Sequence, residues 1–107
     1  MTDYKPPKEG PYEEFYENGQ LSGEITIKNQ YIDGPFKGYY ENGQLLLSDF
    51  KKRGKNHGLI QRFHEHGQLS FRGNYIEGQR DGLFEWFDEE GNTTETVLYK
   101  NGKTVNQ

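Results

Sequence analysis

The sequence predicts an all-β fold: one elongated, single-layer antiparallel sheet of about eight short strands, built as four consecutive hairpin units in an open, solenoid-like stack. Three observations carry this expectation. First, Glu17-Asn18-Gly19-Gln20-Leu21 returns 24 residues later as Glu41-Asn42-Gly43-Gln44-Leu45, then as Glu65-His66-Gly67-Gln68-Leu69, and more loosely as Glu89-Glu90-Gly91-Asn92-Thr93. A fixed period of roughly 20 to 50 residues is the mark of a repeat architecture. Second, glycine recurs near the ninth, twentieth and last positions of a unit, which leaves no room for a helix of about ten residues. Third, eight tyrosines, seven phenylalanines and one tryptophan supply much of the apolar content of a chain that is only 30% hydrophobic. Flat rings suit a half-exposed sheet, and a solvated tail would not carry so many.

Residues 1–10, with Pro6-Pro7 among polar neighbours, read as an extended or disordered leader. The repeat domain follows over residues 11–107, in units 11–34, 35–58, 59–82 and 83–106. The first strand of each unit is Tyr12–Tyr16, Phe36–Tyr40, Ile60–His64 or Phe84–Asp88. The turn after it holds Asn18-Gly19 or Asn42-Gly43, the pair preferred by a two-residue hairpin, with His66-Gly67 and Glu90-Gly91 in the same place. The second strands are Leu21–Ile27, Leu45–Lys51, Leu69–Tyr75 and Thr93–Tyr99. Each unit closes on a turn with Gly54, Gly78 or Gly102 inside it, the first unit having Gln30 instead.

A two-residue turn would set Tyr16 opposite Leu21, Tyr40 opposite Leu45 and His64 opposite Leu69, on the face that carries Tyr12, Phe36, Ile60 and Phe84. It would also set Gly38 against Leu47, Arg62 against Phe71 and Trp86 against Glu95, with Phe15, Tyr39, Phe63 and Phe87 on the other face. A three-residue turn with a bulge would move the partners by one place and exchange the faces.

Composition excludes several function classes. There is no cysteine, hence no disulfide frame, thiolate metal site or thiol nucleophile. Net charge is -4, and the one basic cluster, Lys51-Lys52-Arg53 with Lys55, is too short to track a phosphate backbone. No direct nucleic-acid ligand is expected. No apolar run has the length of a signal peptide core or a membrane span, so the chain reads as soluble and cytoplasmic. A mildly acidic protein is suited to a basic protein partner.

Gly38-Tyr39-Tyr40-Glu41-Asn42-Gly43-Gln44-Leu45, Tyr75-Ile76-Glu77-Gly78 with Gly82-Leu83-Phe84-Glu85-Trp86-Phe87, and Tyr99-Lys100-Asn101-Gly102-Lys103 resemble the MORN repeat in its bacterial variant form. The resemblance covers about residues 11–103. Ile27 and Lys51 stand where the pattern has Tyr, Gln30 where it has Gly, and Thr93 where it has Leu, blurring mainly the terminal units. It implies a rod-like or grooved sheet of successive hairpins. Among small bacterial proteins made only of such units, the chain looks most like antitoxin or immunity proteins paired with polymorphic toxins. The alternative it implies is a scaffold for membrane association or self-assembly, for which the two open edge strands permit end-to-end pairing. The family brings no catalytic residues, and neither an enzyme nor a cofactor is expected.

Four groups of residues are candidate sites. The column Glu17, Glu41, Glu65, Glu89, with neighbours roughly 10 Å apart, reads first as solubilising turn residues and second as an acidic rim that steers a basic partner. His64-Glu65-His66 offers two imidazoles and a carboxylate, but the other units hold no equivalent set, so no metal is expected. The glycines lie in strand-to-strand turns with no helix behind them and cannot make a phosphate loop. The aromatic columns must pack within the sheet, yet a single layer leaves some rings open for a partner. The predicted partner-binding surface is therefore the face of Tyr12, Tyr16, Phe36, Tyr40 and Trp86. Arg62 lies at a position where the units differ, and Glu41 and Glu65 lie on the rim. The expected partner is a cognate protein toxin, with a nuclease or deaminase bearing a basic cleft as the class suited to that rim.

Overall fold

A computed structural model describes residues 8–105. Every element is a strand: β1 Gly10–Phe15, β2 Leu21–Lys28, β3 Tyr31–Ile32, β4 Gly34–Tyr39, β5 Leu45–Lys52, β6 Lys55–Asn56, β7 Gly58–Phe63, β8 Leu69–Ile76, β9 Gln79–Arg80, β10 Gly82–Phe87, β11 Thr93–Lys100 and β12 Lys103–Thr104. They form one sheet in the order β1-β2-β4-β5-β7-β8-β10-β11-β12, with β3, β6 and β9 paired to β2, β5 and β8. Each short strand is the first part of a longer one interrupted by a single residue, Asp33, His57 or Asp81. The expected eight strands are therefore present, three of them broken in this way and the last followed by the short β12. The sheet measures 54 × 35 × 23 Å, as a single layer of hairpins must. The leader expected over residues 1–10 lies mostly outside the described residues, and Gly10 already belongs to β1.

The turn register differs from the two-residue expectation. In the first unit Tyr16 N donates to Gln20 O at 2.8 Å and Gly19 N to Tyr16 O at 2.9 Å, which closes a three-residue loop, Glu17-Asn18-Gly19. Only the glycine has positive φ, +87° at Gly19, +91° at Gly43, +102° at Gly67 and +91° at Gly91. Leu21, Leu45 and Leu69 consequently stand opposite Phe15, Tyr39 and Phe63, not Tyr16, Tyr40 and His64. One residue further a bulge follows, so that Glu14 faces Gly23 and Trp86 faces Glu95. Turn and bulge each displace the register by one, in opposite senses. Gly38 against Leu47 and Arg62 against Phe71 thus stand as predicted, and the faces are not exchanged.

The true two-residue hairpins are the closing turns. Asn29-Gln30, Arg53-Gly54, Glu77-Gly78 and Asn101-Gly102 all have positive φ at both residues, as the primed turn that matches strand twist requires.

The core lies on one side of the sheet, here the packed face. Ile27, Ile60 and Phe84 are its buried apolar side chains, and Phe84 is only 1% exposed. The Phe84 ring is surrounded by Phe71, Tyr75 and Tyr99 at centroid distances of 5.7, 5.5 and 5.0 Å. Gly73 lets it in: a Cβ there would meet Phe84 ring carbons at 2.5 to 2.7 Å.

Candidate partner-binding surfaces

A ladder of side-chain hydrogen bonds fixes how one unit sits on the next. Tyr16 Oη donates to Tyr39 O and Tyr40 Oη to Phe63 O, each at 2.6 Å. Asn18 Nδ2 donates to Glu41 O at 3.2 Å and Asn42 Nδ2 to Glu65 O at 3.1 Å. In the third unit His64 Nε2 and His66 Nε2 reach Phe87 O and Glu89 O at 3.0 Å. A carbonyl only accepts, so both imidazoles carry the Nε2 proton, and the stacked rings of His64 and His66 replace the Tyr and Asn donors. The repeated motif is therefore the joint between units as well as a turn.

The fourth unit breaks the series with acids, Asp88 and Glu90. The Asp88 carboxylate folds back to accept from Glu90 N, Asn92 N and Asn92 Nδ2, and it is held below the usual carboxylate range chiefly by the bond from Asn92 N. Placed against the carbonyls of a further unit, these positions would be acceptors against acceptors. Asn42→Ala removes the bond to Glu65 O and the bond that Asn42 Oδ1 accepts from Gln44 N. An exposed pair of this kind is expected to lower stability by about 1 kcal/mol, measured by urea titration. Glu90→Ala, at a side chain that makes no hydrogen bond among the described residues, should change stability by less than about 0.5 kcal/mol.

On the packed face, units three and four form a groove of about 520 Å³ whose lining includes Arg62, His64, Phe71, Tyr75, Arg80 and Trp86. Phe71 stands between Arg62 and Trp86: the Arg62 guanidinium lies 5.8 Å from its ring centroid and the Trp86 ring 5.1 Å away. Arg80 Nη1 donates to Tyr99 Oη at 3.2 Å, its Nε makes a weak contact with Tyr75 Oη at 3.5 Å, and its guanidinium lies 5.2 Å from the Tyr99 ring centroid.

The opposite, open face carries the side chains that water touches most. Phe50 is 41% exposed, Leu59 53%, Leu83 48% and Leu98 38%. Pro35 pairs with Phe50, Leu59 with Asn74, and Leu83 with Leu98, so these residues form a row across the sheet interrupted by Asn74. Beside the row are the Arg72–Glu85 ion pair, 2.7 Å, and the bond from Tyr39 Oη to Glu24 Oε1, 2.6 Å. That bond, with burial and the nearby Glu24 and Glu13 charges, raises Tyr39 to about 12. The folded state holds the phenolic proton longer than the unfolded chain does. The resulting stabilisation is present below pH ~10 and is lost as pH rises from there through about 12. Absorbance at 295 nm should show one tyrosine ionising last, and Glu24→Gln should bring it down into the main transition.

The predicted site residues are not one cluster. Tyr12 and Phe36 line a separate depression of about 240 Å³ over units one and two, together with Glu14 and Gly38. Arg62 and Trp86 meet in the groove of units three and four. Tyr16 and Tyr40 have their hydroxyls committed to the ladder, while the Glu41 and Glu65 side chains point into solvent at the turn edge. Of the five rings chosen from the sequence, Tyr12 alone is exposed; the others are half-buried against neighbours. Sequence reasoning missed Arg80 and the open-face row. Arg80 had a signal: its column holds Ile32, Asn56 and Thr104 in the other units, and it alone is charged.

A chain of hairpin units that share one sheet and hand hydrogen bonds from each to the next is a β-repeat scaffold. The family model of the MORN repeat variant matches residues 8–29, 32–51, 56–77 and 80–101, most of the chain, which belongs to that family. No curated protein matches it.

Proposed function

We propose that this repeat scaffold binds a protein, and that it acts as an immunity or antitoxin protein that neutralises a cognate toxin in the bacterial cytosol by covering its surface. The observation that carries the binding part is the open-face row of Phe50, Leu59, Leu83 and Leu98. Large apolar side chains aligned across a rigid sheet and left in water are what a partner's surface covers. The acidic turn column Glu17, Glu41, Glu65 and Glu89, all exposed, supports a basic partner such as a nuclease or deaminase, whose encounter it would speed. The neutralising role rests on the resemblance to immunity-type proteins. Self-assembly by stacking of units is disfavoured by Asp88 and Glu90 at the last joint.

The test is co-expression with the toxin encoded beside this protein. Growth should be rescued and a 1:1 complex should form. Leu59→Glu/Leu83→Glu, at exposed sites, should keep the circular dichroism spectrum and lose rescue. No complex at micromolar concentration would refute the reading.

A further inference from the structure

We infer that the groove on the packed face of units three and four is a second binding site, for an extended acidic peptide segment with an apolar side chain between its carboxylates. The argument starts from charge. The chain carries 17 acidic against 13 basic side chains, yet the ten residues lining this groove include Arg62, Arg80 and His64 and no carboxylate. Among the described residues the ion pairs are Lys51–Asp49, Lys52–Glu77 and Arg72–Glu85, so neither Arg62 nor Arg80 has an acidic partner of its own. Both are held in place by aromatic neighbours: Arg62 over Phe71, and Arg80 over Tyr99 with a bond to its hydroxyl. Contact with the rings restricts each guanidinium, and the N–H donors not used within the protein can take a carboxylate with two parallel hydrogen bonds.

The floor between the two cations is apolar. Ile60 and Phe71 line it, with Trp86 against Phe71. Arg62, Phe71 and Trp86 share one row across the sheet, and Arg80 stands at Tyr75, four residues along from Phe71. A segment running along the strands would therefore place one carboxylate at each arginine and an apolar side chain over Ile60 between them, beside Phe71 and Trp86. A nucleic-acid strand is less suited. The Phe71, Tyr75, Phe84, Trp86 and Tyr99 rings meet at interplanar angles of 46° to 79°, so they offer no parallel pair for a base to enter. The one near-parallel pair, His64 with His66, is bonded through both Nε2 atoms to the carbonyls of the next unit. A long polyanion leaving across the units would also meet Glu65 and Glu89 at the turn edge. The groove lies on the face opposite the apolar row, and its occupancy does not depend on the partner proposed for that row.

Trp86 is the chain's one tryptophan and lines the groove, so its fluorescence reports occupancy in the intact protein. The probe is the peptide Asp-Glu-Phe-Glu-Asp; the comparison arms are the same peptide with lysine at every acid, a ten-nucleotide oligo-thymidine, and phosphatidylserine vesicles. The acidic peptide should shift the emission saturably and should weaken severalfold between 50 and 300 mM salt, because the sites are partly exposed. Arg62→Ala and Arg80→Ala should each weaken binding at least fivefold while leaving the circular dichroism spectrum unchanged. The site assignment is overturned by the absence of a saturable shift at millimolar peptide, by equal binding of the lysine peptide, by binding of the oligonucleotide or vesicles in its place, or by unaltered affinity in both arginine variants. Leu59→Glu/Leu83→Glu should bind the peptide normally, which separates failure here from failure of the proposed function.

Discussion

Phe84→Ala is expected to lower stability by about 3–5 kcal/mol, a large share of the roughly 5–15 kcal/mol that holds a small domain together. Phe84 is the largest fully buried side chain among the described residues, with rings of Phe71, Tyr75 and Tyr99 around it and the Gly73 backbone beneath. A single-layer sheet has no second layer to collapse into the space. In urea the midpoint should fall by about 2 M at a slope of roughly 2 kcal/mol/M. Because units touch only their neighbours, amide exchange should rise first over β8, β10 and β11, while β1, β2 and β4 stay protected. The partner variant is Gly73→Ala, whose Cβ would sit 2.5 Å from the same ring and which is expected to cost about 1–3 kcal/mol. Gly73→Ala in a Phe84→Leu background should cost less than the sum, since the smaller side chain vacates the space the methyl needs. A Phe84→Ala loss below about 1 kcal/mol would show that this cluster is not the core.

The same residues show why some of the structure could be read from the chain and some could not. Period, strand positions and the partners of Gly38, Arg62 and Trp86 were legible because glycine spacing and alternation are local properties. The turn was misread because Asn-Gly satisfies two loops. In a primed turn both residues need positive φ, whereas in the observed loop only Gly19 and its equivalents do. Glu90 in the Asn column was the clue, since glutamate lacks the preference for positive φ that Asn and His have. The inter-unit ladder was hidden because Tyr, His and Asn look unlike one another as letters, although each offers a donor to the carbonyl one unit on. The groove was half legible: Arg62 and Trp86 stood out as departures from the repeat, but their meeting across Phe71 depends on pairing between units.

Lys51→Met is expected to destabilise the chain by about 3–5 kcal/mol, because it strands the charge of Asp49, the buried acid among the described residues. The Asp49 side chain is 2% exposed, its Oδ2 lies 3.0 Å from Lys51 Nζ, and its Oδ1 accepts from Phe50 N at 2.7 Å. Lys51 itself is 20% exposed, bonds Asn56 Oδ1, and lies 5.1 Å from the Phe36 ring centroid. Methionine keeps the stem and removes the cation, so lost packing contributes little and the unpaired carboxylate dominates. The repeat supplies the control. In the first unit the same columns hold Ile25 and Ile27, on the same face and half-buried or buried. Asp49→Ile/Lys51→Ile copies that solution, and replacing both members of a buried pair by apolar side chains is often neutral or stabilising. The double variant should therefore lie within about 1.5 kcal/mol of the parent chain or above it, measured by the same urea titration. A single variant within about 0.5 kcal/mol of the parent, or a double variant no better than the single, would mean that the pair is not what holds the second unit's packed face. With both results as expected, Asp49 and Lys51 would be a costly departure from a working apolar pattern, and the second unit, like the Arg62–Trp86 groove, would be a place where this chain differs from its own repeat by more than packing requires.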